Sequence, residues 1–156
     1  MKRLFHPFLL LISCLVLVAC GENEPKMASV IANVNYDGKS AYPSFVQLYN
    51  YNDAKNFDNS YESACYYGDY RKLKDINGNI IKPAFTSSEF LGVNTFENVP
   101  QGKYIIIAMY KPSGYSWPMH YFYGYKIINV DNSLSVNTIN FARNQYLQET
   151  KCFVKF

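Results

Sequence analysis

Beyond residue 20, no stretch of this chain sustains the three-to-four-residue spacing of apolar side chains that an amphipathic helix requires. What recurs instead is alternation. From Met27 to Tyr36, Val30, Ala32, Val34 and Tyr36 fall on one face, and Ser29, Asn33 and Asn35 on the other. That period of two is the mark of a half-buried strand. Asp37-Gly38 then supplies a turn, because these residues accept positive φ at low steric cost. Ser44 to Asn50 (SFVQLYN) reads as a second strand behind Pro43. A short strand ends at Thr95-Phe96-Glu97, and Asn98 to Gly102 turns. Lys103 to Tyr110 (KYIIIAMY) is apolar on both faces, as a central strand covered on two sides is. Lys111 to Pro118 is a loop. Tyr121 to Val130 and Leu134 to Ala142 are two further strands around an Asp131-Asn132 turn. Six to eight strands punctuated by turn signals predict an all-β chain, an antiparallel β-sandwich of immunoglobulin-like or transthyretin-like type.

Residues 51–88 break the rhythm. Asn52, Asp53, Asn56, Asp58, Asn59 and Ser60 favour turns, with tyrosine and phenylalanine scattered among them. Asp75-Ile76-Asn77-Gly78-Asn79 begins like a calcium loop, but its glycine comes two places too early for an EF-hand. Asn77-Gly78 is therefore read as a hairpin turn inside a small hairpin from Lys72 to Pro83. The whole segment is expected to be an irregular insertion in a sandwich domain spanning 28–156.

The first nineteen residues read as an address. Met1-Lys2-Arg3 is a short basic start, and Phe8 to Ala19 is an apolar run of twelve residues. A helix crossing the hydrocarbon core needs about 20 such residues, so this run matches the apolar region of an export signal. Leu17-Val18-Ala19-Cys20, followed by Gly21, resembles the lipobox of bacterial lipoproteins. The resemblance implies cleavage before Cys20, a diacylglyceryl group on its thiol, and a further acyl chain such as palmitate on the new amino terminus. Each buried methylene adds about 0.8 kcal/mol, so two or three chains hold firmly where one holds marginally. Residues 20–27 would be the lipidated tether. Gly21 after the cysteine is similar to lipoproteins sorted to an outer membrane, on its periplasmic or its surface face. The expected location is thus a bacterial cell envelope, with the membrane as partner through the anchor.

Phe96-Glu97-Asn98-Val99-Pro100-Gln101-Gly102-Lys103-Tyr104 resembles the aromatic-x-Asn-Val-Pro-x-Gly-x-Tyr signature of transthyretin-like sandwiches of the carboxypeptidase-regulatory-like kind. The spacing has a mechanical reason. Pro100 fixes φ in the turn, Gly102 supplies permissive backbone, and Tyr104 re-enters the sheet facing the core. The resemblance covers roughly 28–50 and 93–142. It implies a fold and not an activity, since such domains serve as stalks, adhesin repeats and appended binding modules.

Removing Lys2 and Arg3 from the 15 cations leaves 13 against 12 acids. That near-neutrality argues against nucleic acid, which needs clustered excess cation. His120 is the lone histidine after the signal, and no HExxH, CxxC, GxSxG or phosphate-binding glycine loop is present. No catalytic residue, metal ligand or cofactor is assigned, and a hydrolase with an unrecognised carboxylate pair is the least favoured reading. Cys14 lies in the discarded segment and Cys20 takes lipid, which leaves Cys65 and Cys152 as an even pair in an oxidising compartment. The two are expected to bond, against the alternative of two separate buried thiols. A ligand surface is sought among the aromatics. Tyr115, Trp117 and His120 sit in a loop, and Tyr121, Tyr123 and Tyr125 share one face of the following strand. Such a row of rings with hydroxyls suits sugars, and the expectation is an exposed loop with a partly wet tyrosine face. The leading functional expectation is a non-catalytic, lipid-anchored envelope module that docks a partner protein. The alternative is a carbohydrate-binding lipoprotein using this aromatic patch.

Overall fold

The computed structural model describes residues 25–60, 72–87, 92–111, 122–142 and 153–156. These form an all-β sandwich. The strands are β1 (Met27–Tyr36), β2 (Lys39–Ser40), β3 (Ser44–Asn50), β4 (Leu73–Lys74), β5 (Ile80–Ile81), β6 (Phe85–Thr86), β7 (Val93–Pro100), β8 (Gly102–Tyr110), β9 (Phe122–Val130), β10 (Leu134–Phe141) and β11 (Phe153–Lys155). A single helical turn, α1 (Tyr51–Ala54), follows β3. Among the described residues, no helix is long and apolar enough to cross a membrane.

One sheet is centred on β1, with β10 on one side and β7 followed by β2 on the other. The second runs in the order β11, β9, β8, β3, β6. Most pairs are antiparallel. Two are parallel: β1 with β10, where Ser29 aligns with Leu134 and Tyr36 with Phe141, and β9 with β11. The alternation in β1 works as the sequence predicts. Ala28, Val30, Ala32 and Val34 point inward to meet Val46, Leu48, Ile106, Ala108 and Phe141 between the sheets. Burial of these apolar faces is the main stabilising term.

β7 differs from the sequence expectation. It does not end at Glu97 but runs on to Pro100, with Val99 fully buried and opposite Ala28. Asn98 takes the left-handed backbone (φ 55), and the register shifts between Ala28 and Val30. An asparagine tolerates that conformation, and the irregularity re-aims the strand without ending it. The positive φ thus falls on Asn98 and not on Gly102, and only Gln101 separates β7 from β8. The Tyr104 hydroxyl donates to the Pro100 carbonyl at 2.9 Å, which braces this tight reversal.

A second core lies on the outer face of the β8 sheet. Phe45, Tyr49, Ile105, Ile107, Met109 and Tyr123 point away from the sandwich and are still buried. Their cover is the irregular segment: Ala54 of α1, Phe57, Leu73 of β4 and Ile81 of β5. This explains why KYIIIAMY is apolar on both faces. The β4–β5 hairpin turns at Asn77-Gly78, with Gly78 at φ 83. The Asp75 carboxylate accepts the backbone N–H groups of Asn77 and Asn79 and the side-chain amide of Asn79. Those bonds to the charged form hold the Asp75 carboxyl below its usual range. The loop binds itself, as a turn does.

Among the described residues, the outer face of the β1 sheet has no comparable apolar cover. Leu134 and Val136 on β10 and Val93 on β7 are more than half exposed there.

Candidate functional site

The strand registers define two ends of the sandwich. At one end β1 begins: Lys26 accepts a backbone hydrogen bond from Gln101, and Gln101 donates its side-chain amide to the Asp131 carbonyl at 2.6 Å. At the other end Tyr36 aligns with Phe141, and Ser44, Tyr110 and Phe122 lie side by side across the second sheet. The sheets meet at this second end through aromatic rings. Tyr36 lies 5.1 Å from Tyr110 and 5.2 Å edge-on from Phe122, and Phe122 lies 6.1 Å from Phe141. These separations are those of paired aromatic rings.

Tyr110 and Phe122 are buried, Tyr36 is half-buried, and Tyr42 is 67% exposed. Between Tyr36 and Tyr42 the chain turns at Asp37 (φ 46) and Gly38 (φ 77), both exposed. The Asp37 backbone N–H donates to the Phe141 carbonyl at 3.0 Å, which pins the turn to the sheet. The Tyr110 phenol is pushed above its ordinary range, first by burial and then by the charge of Asp37. Lys39, opposite Tyr36 across the turn, is exposed.

Residues 112–121 connect Tyr110-Lys111 to Phe122, so they leave from this end and return to it. Of the residues nominated from sequence, Tyr115, Trp117, His120 and Tyr121 fall in that segment and lie outside the described residues, as do Cys20, Cys65 and Cys152. Of the expected tyrosine face, Tyr123 and Tyr125 are described, the first buried and the second half-buried. Tyr123 is 2% exposed and packs edge-on to Phe153 at 5.3 Å. Tyr125 is half-buried against Phe57 at 5.1 Å, and desolvation raises its phenol. Both belong to the second core because β11 runs beside β9 and the irregular segment closes over them. Phe122, on the opposite face of the same strand, belongs to the sandwich core and the aromatic end.

From sequence, Asp37-Gly38 between Tyr36 and Tyr42 reads as an ordinary turn, and only the strand registers bring Tyr36 to Tyr110. A small cavity beside Tyr49, lined by Gln47, Lys72, Ile107 and Tyr123, is no larger than a water and is no ligand site. Among the described residues, no group of three histidine, cysteine or acidic side chains is arranged to hold a metal.

No family model and no curated protein matches this sequence. Among solved structures, the chain is similar to a candidate carbohydrate-binding protein of Pseudomonas aeruginosa, at 14% identity and a TM-score of 0.44, over 77% of this chain and 90% of that one.

Proposed function

We propose that this chain is a non-catalytic, lipid-anchored module of a bacterial cell envelope that works by docking a partner. The observation that carries this is the short path from Leu17-Val18-Ala19-Cys20 to the first strand, which begins at Met27. Seven residue steps span at most roughly 25 Å, so an acylated Cys20 would hold the sandwich close to the bilayer. The tether joins the end where β1 begins. The aromatic end lies roughly 30 Å farther on, at the rise of a ten-residue strand. In this reading it faces away from the lipid.

Mass spectrometry of the native protein tests the anchor. Acylated Cys20 at the mature amino terminus is expected, with Cys20→Ala released from the membrane fraction. A mature protein that begins elsewhere and carries no lipid sinks the reading.

A second reading is carbohydrate binding. It is supported by the exposed Tyr42 and the Asp37 carboxylate at the end that also bounds residues 112–121. Rings beside hydrogen-bond acceptors suit sugars, whose faces are apolar and whose edges are hydroxyls.

A further inference from the structure

β10 is an edge strand. β1 pairs with it on one side, and among the described residues no strand lies on the other. The Ser29 N–H donates to the Ser133 carbonyl at 2.8 Å, and the Asp37 N–H to the Phe141 carbonyl at 3.0 Å. Successive residues of a strand turn their backbone groups to opposite sides, so Ser135, Asn137 and Ile139 also face β1. Leu134, Val136, Thr138 and Asn140 therefore turn their N–H and C=O groups to the open edge. The pairing with β1 runs from Leu134 to Phe141 without a register shift, so these groups form one regular row roughly 25 Å long.

An open edge invites a further strand, and proteins blunt such edges with charge, proline, bulges or shortness. The other edges of this sandwich carry those devices. β7 has Glu97, the left-handed Asn98 and Pro100. β2 and β6 are two residues long, and β11 is three residues long with Lys155. The part of β9 beyond β11 carries Lys126. β10 (LSVNTINF) runs for eight residues with no charge, no proline and no glycine. Leu134 and Val136, beside the open edge, are 52% and 58% exposed.

Resting on the docking reading above, we infer that the β10 edge is where the partner docks, by adding an extended segment of its own chain as a further strand. A row of alternating backbone donors and acceptors is met in full only by another extended backbone. The segment is uncharged and sets β-branched or aromatic side chains beside Leu134 and Val136, the cross-strand neighbours that stabilise such a pair. A second copy of this chain does not suit the edge. A twofold axis would run two β10 strands antiparallel and send their tether ends in opposite directions. Two copies that stand on one bilayer keep those ends on the same side.

The test is amide hydrogen exchange on the full-length protein in detergent, with and without a probe strand. The probe is a synthetic copy of Leu134–Phe141, acetylated and amidated. Without it, the N–H groups of Leu134, Val136 and Thr138 should exchange at least roughly tenfold faster than those of Ser135, Asn137 and Ile139, which are bonded to β1. With it, the fast three should slow by at least roughly tenfold. Thr138→Pro removes one open-edge donor and no bond to β1, and Val136→Lys places a charge beside the edge. Each should abolish the slowing, while slow exchange at Ser135 and Ile139 shows that β10 still pairs with β1. Fast amides that stay fast with the probe overturn the inference, and so does slowing that survives both variants. Leu134, Val136 and Thr138 amides already slow in the chain alone overturn it too, and a dimer in sedimentation would then identify a second copy as the occupant. None of these outcomes touches the anchor, which stands or falls on the state of Cys20.

Discussion

The backbone N–H of Phe153 donates to the side-chain oxygen of Asn59 at 2.8 Å. The two residues are 94 positions apart, one in the irregular segment and one in the last strand. Around this bond Phe57 packs edge-on against both Phe153 and Tyr125. The seam turns a two-layer sandwich into a three-layer body whose central sheet is buried on both sides. A segment that reads as loop thereby acquires a structural duty.

Cys152 immediately precedes Phe153, and Cys65 follows Asn59 by six residues; both cysteines lie outside the described residues. The Asn59–Phe153 bond brings their flanking chain together, and we expect a disulfide between them. Residues 65 to 152 make a closed loop of 88 residues, for which chain entropy gives about 4 kcal/mol. Non-reducing peptide mapping of the freshly isolated native protein should recover the linked pair. Two alkylatable thiols in that sample would rule the bond out.

The second core makes a contrast that a two-layer sandwich would not. Ile105 points away from the inter-sheet core, yet it is 1% exposed. Ile105→Ala should cost about 2–5 kcal/mol, like any large-to-small change in a packed interior. Val136→Ala, at an exposed position on the outer face of the other sheet, should cost less than about 0.5 kcal/mol. Urea unfolding midpoints measure both. Equal, small losses would mean that the irregular segment does not pack on β8.

Much of this fold is legible in the residues, and the reasons divide cleanly. β1 and β3 follow from local alternation and from turn residues, so their bounds come out as read. KYIIIAMY announces a strand covered on both faces, but not by what. The cover comes from Ala54, Phe57, Leu73 and Ile81, whose spacing has no period because each is placed by tertiary contact. Alternation puts Tyr123 and Tyr125 on one face, but only the pairing of β11 with β9 decides that Tyr123 is buried while Tyr125 is half-buried. Asn98 hid the end of β7, because a turn-forming residue can also carry a bulge. The aromatic end needed the register of three strands to bring Tyr36, Tyr110 and Phe122 together.

Gly124 on β9 faces the ring of Phe141 in the other sheet at close range. A Cβ there would stand 2.9 Å from Cε1 of Phe141, across the sandwich, and would also strike the ring of Phe156. Those rings pack edge-on at 5.4 Å, so neither moves without disturbing the other. Gly124→Ala should destabilise the protein by about 1–3 kcal/mol, the usual cost of overpacking. A thermal melt measures it. A variant as stable as the parent would show that the Phe141–Phe156 pair yields freely.

Alkaline pH should weaken the fold through Tyr49. This residue is fully buried in the second core, and its hydroxyl donates to the side-chain oxygen of Gln47 at 2.9 Å. Burial raises the phenol well above its ordinary value of 10.0, opposed only in part by a backbone hydrogen bond from Leu73. Below that ordinary value the folded and unfolded chains both hold the proton, and this group gives stability no pH dependence. Above it the unfolded chain releases the proton while the folded chain keeps it. Stability therefore falls as pH climbs from the unfolded toward the folded pKa, by up to about 1.4 kcal/mol per pH unit for one such group. Tyr104, Tyr110 and Tyr125 are shifted in the same direction by desolvation and steepen the fall. The urea midpoint should show no contribution from these phenols near neutrality and should drop above about pH 10. Tyr49→Phe should lower the neutral-pH stability by about 1 kcal/mol through the lost hydrogen bond. It should also flatten the alkaline drop, because the group that ionises only on unfolding is gone. An alkaline slope identical in Tyr49→Phe and the parent would place the titrating groups elsewhere.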